Sequence, residues 1–287
     1  MLEGIVVRAS GGFFAVRDDR GEVTLCRARG KLKKEKLAPL VGDRVSFSPR
    51  EKVIEKIHPR RTCLLRPPVA NVDQVVVVLS ICNPPPDWFL ATRLLVQVEQ
   101  QGMEGIICIT KIDLADAEML AETRQVVKAF PYRHLFTAKG RENRELKAAL
   151  KDRCSVFAGP SGVGKSTLLN SLQPDFDLET GEVSPRLGRG RHTTRAAMLL
   201  PLKEGGLVVD TPGFTRLWVE KLEAAELSAL FPEMASLAGK CAFRNCTHRR
   251  EPDCAVREAV AQEVVHPLRY QHYLLLYEEL EEQEKKR

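Results

Sequence analysis

The stretch that decides the fold is Gly159-Pro160-Ser161-Gly162-Val163-Gly164-Lys165-Ser166, which Thr167 follows. Its glycine spacing and Lys-Ser pair are typical of a phosphate-binding loop. An apolar run, 155–158, precedes it and a helical pattern, 165–172, follows it, as such a loop requires. The backbone N–H groups would hold phosphates and Lys165 would add a positive charge. Ser166 would bind Mg²⁺, and Thr167 would reach the α-phosphate.

A second motif, Thr110-Lys111-Ile112-Asp113, predicts which base the site binds. It follows the apolar run 105–110, and ligands in open α/β sheets bind at the carboxyl ends of strands. The Asp113 carboxylate can accept two hydrogen bonds from guanine, whereas adenine has no matching donors, so the motif favours GTP over ATP. Lys111 would lie along the purine. Thr110 stands where Asn is usual, and we expect a weaker contact with the phosphate loop.

The order of the motifs is the unusual feature of the chain. In an ordinary GTPase the phosphate loop comes first, whereas here the base-reading motif precedes it and Asp210-Thr211-Pro212-Gly213 comes last. The segment Thr137-Ala138-Lys139 is expected to support the base through its backbone N–H groups. Long apolar runs alternate with helical patterns from residue 71 onward, as a parallel sheet requires. The sequence therefore predicts a circularly permuted P-loop GTPase domain.

The remaining catalytic groups are expected in two segments. Asp210 would hold Mg²⁺ through water, and the Gly213 N–H would meet the γ-phosphate. In the basic stretch 188–195, one threonine should close on Mg²⁺, and we favour Thr194 over Thr193. Phe214 occupies the place where many GTPases have a glutamine that orients water. We therefore expect slow hydrolysis by the protein alone, with the missing group supplied by a partner or by His192.

The first 66 residues combine short alternating apolar runs with a positive charge. They hold 16 Lys and Arg against 8 Asp and Glu, a balance of +8, whereas the whole chain carries +6. About five predicted strands in some 60 residues indicate a barrel of the OB type, and an SH3-like barrel fits nearly as well. The charge favours a polyanion partner over a merely solvated surface. The basic residues expected in one loop are Arg27, Arg29, Lys31, Lys33, Lys34 and Lys36.

Near the C-terminus, three cysteines and one histidine lie within 14 residues, at Cys241, Cys246, His248 and Cys254. Three thiolates and one imidazole leave no open position on a tetrahedral Zn²⁺ ion, which indicates a structural site. The alternative is unrelated cysteines beside a surface histidine. Helical patterns at 221–230 and 266–284 flank this zinc knuckle.

Length and composition predict the overall organisation. A chain of 287 residues is too long for a single small hydrophobic core, and its longest aliphatic run is too short to span a membrane. We expect a cytoplasmic, monomeric protein with no membrane partner. We predict three domains: a five-stranded OB-type β-barrel (1–66), a circularly permuted P-loop GTPase α/β domain (67–221) and an α-helical zinc-knuckle domain (222–287).

Taken together, the motifs resemble the RsgA (YjeQ) family of circularly permuted GTPases. The resemblance covers nearly the whole chain and includes Asn-Val-Asp-Gln at 71–74 and Asp-Thr-Pro-Gly-Phe at 210–214. It implies GTP/GDP, Mg²⁺ and one Zn²⁺ as ligands, the 30S subunit and its 16S rRNA as partners, and a role late in small-subunit assembly. An Arg inserted at 191 departs from the family pattern at the first switch.

Two alternatives belong to other functional classes. One is an RNA-binding protein whose guanine-nucleotide site only stabilises the fold. The other is an ATPase that acts on nucleic acid. GTP turnover with and without 30S subunits separates the first alternative from a GTPase, and guanine selectivity would exclude the second.

Overall fold

The computed structural model describes residues 1–34, 37–65, 68–173, 197–210 and 222–286, and only the backbone of residues 33, 34, 65 and 210. The boundaries predicted at 66–67 and 221–222 fall on or beside residues outside these ranges, so they stay predictions.

The N-terminal unit is a closed five-stranded barrel, which confirms the predicted fold. Its strands run in the order β1-β2-β3-β5-β4, and β4 pairs with β1 to close the ring. β3 and β5 pair in parallel, a Greek-key crossing that favours the OB-type over the SH3-like alternative. Val6, Val16 and Phe47 point inward and are fully buried. The strands are β1 (Leu2–Ser10), β2 (Phe13–Asp18), β3 (Val23–Ala28), β4 (Arg44–Ser48) and β5 (Val53–Ile57).

The basic stretch after β3 differs from the predicted loop. Gly30–Lys34 forms a short helix, α1. The reason is Leu32, whose side chain is buried in the barrel core and needs a helical turn to reach it. Among the basic residues, Arg29 pairs with Glu55 and Arg27 lies 4.6 Å over the ring of Phe13.

The central unit is a sheet flanked by helices on both faces. Its strands lie in the order β10-β9-β8-β11-β13-β12, with β12 antiparallel to β13 and the remaining pairs parallel. The fully buried strand β8 runs through the middle of the core. The strands are β8 (Gln74–Ser80), β9 (Glu104–Thr110), β10 (Arg133–Phe136), β11 (Cys154–Ala158), β12 (Met198–Pro201) and β13 (Leu207–Asp210). The helices are α2 (Trp88–Gln100), α3 (Ala117–Val127), α4 (Arg144–Leu150) and α5 (Lys165–Leu172).

The helix after β9 does not start directly at the end of the base-reading motif. A 3₁₀ helix, Ile112–Leu114, comes first, and α3 starts after Asp116, whose carboxylate caps it by accepting from Met119 N at 2.8 Å. Helix α4, strand β12 and the hairpin of β6 (Cys63–Leu65) and β7 (Pro68–Ala70) were not among the predicted elements.

The barrel and the central sheet are continuous. β1 pairs with β12 at Arg8 and Met198, so one 11-stranded sheet runs through both units. β12 is also the strand that directly follows residues 174–196, where the first switch was predicted.

The C-terminal unit packs helices around a separate core. Leu227, Phe231 and Tyr273 are buried at its centre. The segment predicted as a helix at 221–230 is instead a 3₁₀ helix, Ala224–Leu230. It is followed by α6 (Pro232–Ala235), α7 (Ala255–Ala261) and α8 (Pro267–Lys285). Within the described ranges, we find no helix that is both long and apolar enough to span a bilayer.

Candidate functional site

The predicted nucleotide motifs meet at one edge of the sheet. β8, β9, β10 and β11 are parallel neighbours, so their carboxyl ends lie side by side. The base-reading motif follows β9, the segment 137–139 follows β10, and the phosphate loop follows β11. This is the edge where open α/β sheets bind ligands.

Glycine is required in the phosphate loop by close contacts and by backbone angles. A Cβ at Gly159 would lie 2.2 Å from Val78 O, so no larger residue fits against β8. Gly162 and Gly164 have φ angles of +78° and +92°, which favour glycine. Gly164 is the N-cap of α5, whose first turn holds Ser166 and Thr167. Pro160, Ser161 and Val163 complete the loop, and only Val163 among these three is buried.

Lys165 folds back over this loop. Its ammonium group donates to Gly159 O at 2.8 Å and to Pro160 O at 2.7 Å. Burial lowers the pKa of Lys165, since the charged form loses hydration there. The carbonyl contacts keep the charge beside the loop, where it can meet phosphate oxygens.

Thr110 joins the base-reading motif to the phosphate loop. Its side chain is buried, and its hydroxyl lies 2.5 Å from Val163 O and 3.3 Å from Leu79 O. A hydroxyl has one proton, so the shorter contact to Val163 is the hydrogen bond we assign. The contact that was expected to weaken without an asparagine is therefore present, and its strength stays a prediction.

The next two residues of the motif are also held in place. Lys111 has a left-handed backbone, and its ammonium group donates to Asn83 O. The carboxylate of Asp113 accepts from Lys139 N at 3.0 Å. Thr137 and Ala138 are buried directly before Lys139, and Thr137 O accepts from Ile112 N at 3.3 Å. The segment 137–139 therefore orients Asp113 at the end of β9.

The loop after β8 also borders the site, although it was not predicted to do so. Ser80 Oγ donates to Pro84 O at 2.6 Å, which fixes this loop at the sheet edge. A Cβ on Gly162 would lie 3.8 Å from the Pro84 ring, so the loop also borders the phosphate loop. The run of three prolines at 84–86 after an apolar strand was an available signal.

Several predicted catalytic residues cannot be placed. His192, Thr193, Thr194 and Gly213 lie outside the described residues. For Asp210 only the backbone is described, and it ends β13 opposite Met198. Their roles stay predictions.

The four candidate zinc ligands come together directly before helices α7 and α8. Their ligand atoms all lie within 4.8 Å of one another. His248 Nδ1 is 3.4 Å from Cys254 Sγ and 3.6 Å from Cys241 Sγ, and these two sulfurs are 3.9 Å apart. A tetrahedral Zn²⁺ ion needs about 3.5 Å between N and S and about 3.8 Å between two S atoms, from its usual bond lengths. The cluster fits that ion.

Nearby groups keep these ligands in position. Burial lowers the pKa of His248, which favours the neutral imidazole that a metal requires. Tyr270 Oη donates to His248 O at 2.7 Å, and Tyr273 Oη donates to Thr247 O at 2.8 Å. Both tyrosines belong to α8, so this helix supports the knuckle.

Comparison with known proteins agrees with this geometry. A family model described as RsgA GTPase matches residues 57–220, and one described as RsgA N-terminal domain matches residues 3–53. The chain is 46% identical to "Small ribosomal subunit biogenesis GTPase RsgA" of Moorella thermoacetica, over 97% of both chains. It is 43% identical to the Caldanaerobacter subterraneus protein of the same name, over 100% of this chain and 98% of the relative.

Solved structures match over nearly the same length. YjeQ from Thermotoga maritima superposes with a TM-score of 0.86 at 36% identity, covering 97% of this chain and 98% of that one. YloQ, described as a circularly permuted GTPase, superposes with a TM-score of 0.84 at 34% identity, covering 99% of this chain and 96% of that one. Motif order, sheet order and full-length similarity coincide, and the chain belongs to the RsgA GTPase family.

Proposed function

We propose that this protein is a GTPase that the 30S ribosomal subunit stimulates, and that it acts late in the assembly of that subunit. The reaction is hydrolysis of GTP to GDP and phosphate. Its family membership and the names of its relatives support the ribosomal role. The observation that carries the nucleotide role is the 2.5 Å contact between Thr110 and Val163, which joins the base-reading motif to the phosphate loop.

The phosphate loop supplies the groups that bind the triphosphate. The N–H groups at the start of α5 would face the phosphates, and Lys165 would leave its two carbonyl partners to meet phosphate oxygens. Ser166, and Asp210 through water, would hold Mg²⁺, which neutralises charge on the β- and γ-phosphates when bound. Thr194 or Thr193 would complete that site, and Gly213 N–H would contact the γ-phosphate.

The base-reading motif supplies guanine selectivity. Asp113 is exposed at the sheet edge and already oriented by Lys139 N, so its second oxygen is available to a base. Asp113→Asn should shift preference from GTP to xanthosine triphosphate, because an amide presents the donor that xanthine needs. Asp116→Asn is the matched control, since that carboxylate caps α3. Nucleotide binding measured by competition would show the shift only in the first variant.

The C-terminal cluster would hold one structural Zn²⁺ ion through Cys241, Cys246, His248 and Cys254. The fit of the four ligand atoms supports this assignment. A metal-to-protein ratio near one by elemental analysis is expected, and a Cys254→Ser variant should lose it.

The basic barrel would bind 16S rRNA, mainly through phosphates. Its excess of eight positive charges supports this role. Binding of 30S subunits should weaken steeply as salt increases, and an affinity independent of salt would exclude it. We take the working form to be a cytoplasmic monomer.

One experiment tests the function as a whole. GTP turnover is measured for the protein alone, with 30S subunits, and with ATP in place of GTP. We expect slow turnover alone, faster turnover with subunits and none with ATP. Absence of GTP loss in every tube would instead support an RNA-binding protein whose nucleotide site is structural.

A further inference from the structure

Helix α2 belongs to two hydrophobic cores at once. Leu94, Leu95 and Val98 pack into the core of the GTPase sheet. Val96, on another face of the same helix, is buried in the core of the C-terminal unit. The helix is therefore a structural element of both units, and a change in its position moves both.

A buried polar cluster lies where α2 meets the C-terminal unit. Arg269 of α8 is fully buried and donates to Glu233 Oε1 at 2.6 Å and to Thr92 Oγ1 at 3.1 Å. Its guanidinium lies 4.9 Å from the ring centre of Phe130 in the GTPase unit and 4.5 Å from that of Phe231 in the C-terminal unit. We call Thr92, Glu233, Arg269 and His272 the α2 joint, because His272 Nδ1 also contacts Thr92 Oγ1, at 2.8 Å.

The composition of the joint indicates more than stability. A buried ion pair is rarely more stable than apolar residues of the same volume, because both charges lose hydration. The best-attested use of such pairs is to fix the register of two elements. Here Arg269 links α8 to α6 through Glu233 and to α2 through Thr92.

The N-terminal end of α2, where Asp87 lies five residues before Thr92, borders the nucleotide site. Asp87 caps the helix by accepting from Leu90 N at 2.8 Å, and the loop before it contains Asn83 and Pro84. Asn83 O accepts from Lys111 of the base-reading motif, and the Pro84 ring borders the phosphate loop. A nucleotide whose base lies along Lys111 would therefore sit beside this loop.

We propose that α2 transmits the state of the nucleotide site to the C-terminal unit, with Thr92 and Arg269 as positioning residues. This inference rests on the proposed function, since it assumes that GTP and GDP occupy the site in turn. It names a second route beside the chain segment 211–221, which also connects the two units.

The test is hydrogen exchange of peptides from α8 with GDP and with a non-hydrolysable GTP analogue. In the wild-type protein we expect protection to differ at least about fivefold between the two nucleotides, the low end of allosteric coupling. Thr92→Val removes the hydroxyl with little change in volume and should abolish that difference while nucleotide affinity is retained. Thr92→Ser should preserve it.

Thr123→Val is the matched control, since Thr123 is also buried but lies in α3, away from the joint. It should respond like the wild-type protein. If Thr92→Val does not fold, Arg269→Lys supplies the same comparison, because it keeps the charge and shortens the reach to Thr92.

A full response in Thr92→Val, or no difference between nucleotides in the wild-type protein, would overturn the proposal. So would loss of the response in Thr92→Ser, because the hydroxyl would then not be the coupling group. Exchange is measured without ribosomes, so these results stay separate from the turnover assay. Failure of subunit-stimulated hydrolysis would instead remove the proposed function.

Discussion

The two accessory units join the GTPase sheet by different kinds of contact. At the barrel, backbone groups make most of the junction: β1 pairs with β12, and Ala70 N donates to Val41 O at 2.8 Å, beside the Asn71 amide that donates to Gly42 O. At the C-terminal unit, side chains make it, through the α2 joint and the ion pair of Arg93 with Glu279. Backbone pairing fixes a distance, whereas side chains can re-pair in a second arrangement. We therefore expect the barrel to move with the GTPase sheet and the C-terminal unit to move against it.

The largest effect should come from disrupting the proposed zinc site. Cys254→Ser, or a strong chelator, should remove on the order of 5 kcal/mol or more from the C-terminal unit, because zinc binding contributes directly to folding. Hydrogen exchange should rise in α7 and α8 and stay unchanged in the barrel. Cys82→Ser is the control, since Cys82 is a half-buried thiol outside the cluster. Equal loss of protection in the barrel would contradict the separation of the two junctions.

Breaking the ion pair of the α2 joint should rank second. Arg269→Met leaves Glu233 unpaired, and breaking a buried pair in this way costs about 3–5 kcal/mol. Denaturant unfolding measures the loss. The double variant Arg269→Met, Glu233→Met should recover most of it, since no isolated charge remains. A double variant as unstable as the single one would show that the pair itself stabilises the fold.

A substitution at the barrel junction should have the third-largest effect on stability, and it should affect the barrel and the GTPase sheet together. Gly42 has φ +90°, and a Cβ there would lie 2.0 Å from Ala70 O. Gly42→Ala should lower the free energy of unfolding by about 3 kcal/mol, from backbone strain and the clash. Gly11 also has a positive φ, +56°, but open space around it, so Gly11→Ala shows the cost of backbone strain without a clash. We expect Gly42→Ala to loosen barrel and sheet together in hydrogen exchange. A loss confined to the barrel would contradict a rigid junction.

The smallest effect is the loss of folding stability at low pH. Burial and the charge of Arg269 lower the pKa of His272 to about 4, while Asp87 opposes that shift. The unfolded state therefore binds a proton below about pH 6.5 that the folded state refuses until about pH 4, so stability falls as pH decreases through this window. Unfolding measured at pH 7 and pH 4.5 should show a smaller loss in His272→Asn than in the wild-type protein. An equal loss would exclude His272 as its source.

The sequence predicted those parts whose geometry follows from local spacing. The phosphate loop, the base-reading motif and the Cys and His ligands each lie within a short stretch, so their residue types indicate their chemistry. Strands β8 and β9 were predicted because a buried parallel strand is a continuous apolar run. The barrel order needed the structure, since OB-type and SH3-like barrels share similar strand patterns.

The rest depends on contacts between distant segments. Asn83 and Lys139 affect the base-reading motif only because the fold brings their strands beside β9. The helix α1 formed in a basic stretch because one leucine reaches the barrel core. In the sequence, Arg269 cannot be distinguished from an exposed arginine of a surface helix. It is buried because α8 packs against α2 at this position.

The pairing of β1 with β12 also affects how the chain is made. Met198 is synthesised 190 residues after its partner Arg8. Until then, the end of β1 that β4 does not reach presents unpaired backbone groups, as any edge strand does. The barrel can therefore pair wrongly with other strands until β12 has been synthesised. Fragments that stop before β12 should aggregate under conditions where the complete chain does not.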